Sequence, residues 1–182
     1  MPAIAENYIK QLQETLSKIN FSEIDAIVSV LKTAKENGNS IYIFGNGGSA
    51  STASHFACDI NKGVSYGYDK RFKVICLNDN LPTLLAYSND VGYDVVFVEQ
   101  LKNFLLPNDV VIGISGSGNS KNVISAIEYA NQNNAITIGI TGYDGGLLKK
   151  NAKYSFNAAV NDMQVSEDLH MIWVHLMMKC LS

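Results

Sequence analysis

Two short runs of small residues carry the first chemical signal in this chain. Gly45-Asn46-Gly47-Gly48-Ser49 closes one apolar run, and Ser115-Gly116-Ser117-Gly118-Asn119-Ser120 closes another. Glycines let a backbone come close to a ligand, and free amides at a helix start favour an anion through the helix dipole. The second run adds the hydroxyls of Ser115, Ser117 and Ser120 as donors. A second group of residues is titratable. His55 and Asp59 lie four apart, so a helix projects both from one face. Glu167, His170 and His175 follow near the C-terminus, and with His55 these are all the histidines of the chain.

Three readings of the loops compete. They are turns for chain reversal, half of a dinucleotide site, or a cradle for a phosphate. Gly45-x-Gly47-x-x-Ala50 fits the dinucleotide pattern G-x-G-x-x-A. The acidic ribose partner belongs about 20 residues on, whereas Asp79 stands 34 residues after Gly45. No Lys follows the glycines, which excludes a Walker A loop. Two loops at equivalent positions, one rich in serine, favour a phosphate held by amides and hydroxyls without fixed cations. That suits a small phosphorylated metabolite and calls for no nucleotide cofactor.

Such loops need a scaffold. The first 36 residues read as helix, with Ile4, Tyr8, Leu12 and Leu16 in a stripe of spacing four. Ser22 with Asp25 resembles a capping box, and Ile24, Ile27, Val28 and Leu31 continue the period until Lys35–Ser40, where Gly38 suits a helix end. Five Ile/Val-rich runs follow: Ser40–Phe44, Lys73–Leu77, Asp109–Ile114, Ala135–Ile140 and Tyr154–Val160. Runs of this kind fit strands buried on both faces of a parallel sheet. Helical patterns lie between and after them, at Ala50–Ile60, Pro82–Tyr87, Tyr93–Leu105, Asn119–Asn131, Gly145–Lys150 and Ser166–Leu181. The alternation predicts an α/β three-layer sandwich, flavodoxin-like, around a five-stranded parallel sheet. Both loops then sit at carboxyl ends of strands, where ligands bind in open α/β sheets. One domain over residues 1–182 is expected, with residues 1–36 as a helical flank suited to an oligomer interface or to packing on the same subunit.

Composition narrows the classes. Of 182 residues, 47% are hydrophobic and 17% charged, which supports a packed core. The net charge is −3 and no basic stripe occurs, so nucleic acid is not an expected partner. Apolar stretches break well before the roughly 20 residues of a membrane span, and the N-terminus lacks the basic and apolar regions of a secretory signal. Cys58, Cys76 and Cys180 form no CxxC spacing. The expectation is a reduced, cytoplasmic chain.

The ordered motifs then carry a resemblance. Gly45–Ser49, the His55-Phe56-Ala57 helix, Ser88-Asn89-Asp90, Ile114–Ser120 and Thr141-Gly142-Tyr143-Asp144-Gly145-Gly146 are together similar to the sugar isomerase (SIS) family, on its phosphoheptose isomerase branch. The resemblance runs from about residue 5 to the end. It implies aldose–ketose isomerisation of a phosphosugar, sedoheptulose 7-phosphate to D-glycero-D-manno-heptose 7-phosphate, through an enediol. It also implies a homotetramer with sites at subunit interfaces. By the same resemblance Ser115, Ser117, Ser120 and the Gly116 backbone grip the phosphate, while Asn46, Gly47, Gly48, Ser49, Asn89, Asp90 and Glu167 border the sugar. The family has Thr at the place of Gly116. Zinc ligands fall on His55, Asp59, Glu167 and His175, where the family has His, Glu, Gln and His. Asp59 or Glu167 is the implied base and His175 the implied acid. Asp59 is one methylene shorter than the family's Glu, and Glu167 is expected to compensate. Eight residues of helix separate Glu167 from His175, about 12 Å. Either the helix begins at or after Glu167, or the ligands come from different subunits, or the metal site is degraded. His170 reads as a packed or surface imidazole. Two further classes stay open: a non-catalytic SIS protein of the kind that binds sugar phosphates or the initiator DnaA, and an isomerase of another phosphosugar.

Overall fold

Residues 2–182 are described by a computed structural model. Two helices, α1 (Pro2–Leu16) and α2 (Phe21–Asn37), precede the sheet. The cap of α2 is Asn20 rather than the Ser22–Asp25 box. Its side chain accepts from the Ser22 amide at 3.1 Å and the Ser22 hydroxyl at 2.7 Å, because the helix already begins at Phe21. At the other end Gly38 takes φ 71° and donates its amide to Ala34 and Lys35, ending the helix as the sequence predicts.

The strands are β1 (Ser40–Gly45), β2 (Lys73–Cys76), β3 (Val110–Ser115), β4 (Ile136–Gly142) and β5 (Tyr154–Ala158). All pairings are parallel, in the order β2-β1-β3-β4-β5. Between them run α3 (Gly48–Cys58), α4 (Leu81–Asp90), α5 (Val98–Phe104), α6 (Lys121–Gln132) and α7 (Gly146–Asn151), and α8 (Met163–Leu181) closes the chain. Alternation along β1 divides the core. Ile41 and Ile43 face a cluster with Ile27, Leu31, Phe56 and Trp173, while Tyr42 and Phe44 face one with Phe97, Leu101, Ile127 and Leu148. The expected three layers result.

Two helices differ from their sequence pattern. The one expected over Ala50–Ile60 ends at Cys58 and passes into a π turn, Asp59–Val64. The one expected over Tyr93–Leu105 divides into a 3₁₀ turn, Tyr93–Val95, and α5. The division lets Val96 and Phe97 both enter the core, where Phe97 stacks on Phe44 at 4.6 Å. Among the described residues no helix is long and apolar enough to cross a membrane.

Candidate functional site

The order β2-β1-β3 reverses direction between β1 and β3, and ligands bind where that reversal opens a crevice. Gly45 pairs with Ile114 there, and the two small-residue loops leave the sheet side by side. Gly47, at φ 56°, opens α3. In the second loop Ser115 Oγ and Ser120 Oγ stand 3.0 Å apart, and the Asn119 amide donates to Ser117 Oγ at 3.2 Å. Gly118 takes φ 66°, and a Cβ on it would lie 2.0 Å from the Gly145 carbonyl oxygen, so only glycine admits this approach. The approach ties the serine loop to the start of α7, whose Leu148 amide donates to Gly118 O at 2.9 Å and Leu147 amide to Asn119 Oδ1 at 3.2 Å.

Asn46, Ser49, Ser115, Gly116, Ser117 and Ser120 line one cleft together with Met163 and Glu167. Glu167 reaches it from α8, and a Cβ on Gly48 would lie 2.9 Å from its Oε1. Asp162 caps that helix by accepting from the Val165 amide at 3.0 Å, so α8 begins before Glu167. A larger hollow of about 470 Å³ beside Tyr143, Asp144 and Val160 lacks the paired loops.

A second group forms where α3 packs on α8. His55 Nε2 lies 3.2 Å from His175 Nε2 and 3.3 Å from Asp59 Oδ2, and one ligand atom from each residue falls within 4.8 Å of the others. Two nitrogens bound to one tetrahedral ion at about 2.0–2.1 Å stand roughly 3.3–3.4 Å apart. The donor set and its spacing therefore fit a metal ion, and these three side chains could hold one. Glu167 is not part of this group: the continuous helix sets it about 12 Å along the axis from His175 and places its carboxylate in the serine cleft. His170 is 1% exposed, and neither ring nitrogen makes a well-formed hydrogen bond among the described residues. Burial pushes its pKa down from 6.5, with the Thr141 backbone opposing more weakly. Asn89 and Asp90 sit exposed in the last turn of α4, bonded to each other at 2.8 Å and outside the walls of the cleft. The sequence reading missed Met163, Tyr93 and Asn122. Tyr93 Oη donates to Asn46 Oδ1 at 2.7 Å, and the side-chain amides of Asn46 and Asn122 pair with each other. The signal for Asn122 was a polar residue on the buried stripe of α6, in line with Ala126 and Ala130.

The SIS domain family model matches residues 6–142. The phosphoheptose isomerase of Helicobacter pylori is 36% identical over 97% of this chain and 87% of its own length. The chain belongs to the SIS domain family, on its phosphoheptose isomerase branch. That of Aliarcobacter butzleri is 36% identical over 90% of this chain and 87% of its own. The solved phosphoheptose isomerase of Neisseria gonorrhoeae superposes with a TM-score of 0.88 at 29% identity, covering 99% of this chain and 95% of that one. The resemblance drawn from the sequence expects Thr at the place of Gly116. The structure shows what takes the space: a Cβ on Gly116 would lie 2.5 Å from Met163 Sδ.

Proposed function

We propose that this protein interconverts sedoheptulose 7-phosphate and D-glycero-D-manno-heptose 7-phosphate. The observation that carries the reading is that one cleft holds both a carboxylate, Glu167, and the amide- and hydroxyl-rich loop Ser115–Ser120. The loop binds the phosphate, remote from the reacting carbons, so that its binding energy positions the sugar. Glu167 takes the proton from C1 of the ketose. The C1–C2 pair becomes an enediolate, the O1 hydroxyl proton passes to O2, and the carbon-bound proton returns from Glu167 to C2 as C1 becomes the aldehyde. No net oxidation occurs and no redox cofactor is needed. His55, Asp59 and His175 would hold a zinc ion, and the chemistry it would supply when bound is that of a Lewis acid. With Asp59 and His175 engaged there, Glu167 is the carboxylate left free in the cleft. Residues 1–182 act as one cytoplasmic domain. The flank of residues 1–36 serves a homotetramer, supported by the apolar face that α1 leaves open at Ile4, Ala5 and Ile9, with Ile4 75% exposed.

A sugar-phosphate sensor would need the loops but not the histidines. The assembly of His55, Asp59 and His175 within 4.8 Å favours the enzyme. Incubating metal-loaded and metal-stripped protein with sedoheptulose 7-phosphate, followed by NMR of the products, tests the reading, and no heptose 7-phosphate from either form overturns it. Glu167→Gln is expected to lower kcat at least ~100-fold, the lower range for a positioned base. Undiminished turnover removes Glu167 from the role.

A further inference from the structure

Asn46 lies in the cleft, but the way its amide faces is set by residues that do not. Asn122, 2% exposed in the first turn of α6, accepts the Val123 backbone N–H on its Oδ1 at 2.9 Å. A backbone N–H only donates, so this contact fixes which end of the Asn122 amide is oxygen. The same Oδ1 accepts Asn46 Nδ2 at 2.9 Å, and Asn122 Nδ2 donates back to Asn46 Oδ1 at 3.0 Å. The orientation of Asn46 follows from that of Asn122. Tyr93, from the 3₁₀ turn, then donates its hydroxyl to Asn46 Oδ1 at 2.7 Å. Asn46 Oδ1 is thus filled by two donors, and one Nδ2 hydrogen is committed to Asn122. The group left for a ligand is the second Nδ2 hydrogen.

We infer that Asn122 and Tyr93 are positioning residues that turn Asn46 into a fixed donor aimed at a substrate oxygen. The inference rests on the isomerase reading, in which the cleft takes a phosphosugar. An oxygen that gains negative charge as the enediolate forms is the acceptor such a donor serves, and a donor fixed before reaction stabilises it without reorganising. An amide free to flip would present its carbonyl half of the time, and that end repels the developing charge. Asn122 and Tyr93 therefore act on the chemical step through Asn46 and touch no substrate themselves.

The test is steady-state kinetics with sedoheptulose 7-phosphate on the wild type, Tyr93→Phe, Asn122→Asp and Asn46→Ala, and on the two double variants that carry Asn46→Ala. Tyr93→Phe removes one hydroxyl at a side chain that is 54% exposed, so it reports even where Asn122→Asp fails to fold. Asn122→Asp keeps the acceptor for Val123 and Asn46 and deletes the donor to Asn46 Oδ1. The expected result is a fall in kcat of about tenfold or more for Asn122→Asp and about threefold or more for Tyr93→Phe, with KM within about threefold and the melting temperature of Tyr93→Phe unchanged. In the Asn46→Ala background neither change has a further effect, because the residue they orient is gone. A purely structural role would act equally in both backgrounds, and that result overturns the inference. Tyr93→Phe and folded Asn122→Asp with wild-type kcat and KM overturn it too, while the isomerase reading stands. A wild type inert towards sedoheptulose 7-phosphate removes the isomerase reading and the inference with it.

Discussion

Gly118 and Gly116 stand two residues apart and face opposite constraints. At Gly118 a new Cβ meets the Gly145 backbone at 2.0 Å and the φ of 66° is strained for any side chain. Backbone cannot swing aside, so Gly118→Ala must separate the serine loop from α7. The expected outcome is at least about 1–2 kcal/mol of lost stability from the left-handed conformation alone, read by urea unfolding, with a raised KM for the phosphosugar. At Gly116 the obstacle is the Met163 thioether at 2.5 Å, the end of a flexible side chain. Gly116→Ser should be accommodated by a Met163 rotamer change, stay within about 1 kcal/mol of wild type, and lower KM by adding a hydroxyl to the cradle. A higher KM with unchanged stability would show that the Met163 position matters more than the added donor. These contrasts explain what was legible. A loop of small residues writes its chemistry directly into the sequence, and Ser115–Ser120 and Gly45–Ser49 were readable. The side to which Glu167 belongs was not, because it depends on where α8 starts, and that is decided by Asp162 accepting from the Val165 amide. Asn122 and Tyr93 were hidden for a similar reason: they act through pairings across 76 and 47 residues.

At the scale of elements, α8 joins both halves of the site to the core. Its inward face carries Trp173, fully buried and stacked on Phe56 of α3 at 5.4 Å. That contact holds α3 against α8, and so holds His55 opposite His175. Trp173→Ala should cost about 3–5 kcal/mol, the range for a large aromatic in a core, measured by urea unfolding, and should weaken metal retention with it. The same face buries His170. Its folded pKa lies below its ordinary 6.5, so below that value the unfolded chain binds a proton that the folded one does not. Stability is therefore lost as pH falls below 6.5 toward the folded pKa, at up to about 1.4 kcal/mol per pH unit. Unfolding free energies between pH 7.5 and 5 should decline less steeply in His170→Leu than in wild type. Equal slopes would assign the acid sensitivity to other groups. The sequence pattern captured these elements because their apolar periods are strong, but it ran Tyr93–Leu105 together as one helix. There the pull of Val96 and Phe97 into the core overrode local propensity.

Across the whole molecule, the parallel sheet brings loops 70 residues apart (Gly45 to Ser115) to one crevice, and most of the chain between them serves that placement. A ligand that bridges the β1 loop, the β3 loop and α8 binds only the folded arrangement, so it must stabilise the fold. At 100 times its Kd the gain is about 2.7 kcal/mol, which for a chain of this size is a rise of roughly 5–10 °C in melting temperature. Sedoheptulose 7-phosphate should produce that shift, and Ser117→Ala with Ser120→Ala should abolish most of it while leaving the unliganded melting temperature near that of wild type. NAD should produce none. Its ribose needs a carboxylate about 20 residues after the first glycine, whereas the one that follows β2, Asp79, stands 34 residues after Gly45. A shift with NAD and none with the sugar phosphate would mean that the same switch point had been turned to nucleotide binding, and that the serine hydroxyls hold a different anion.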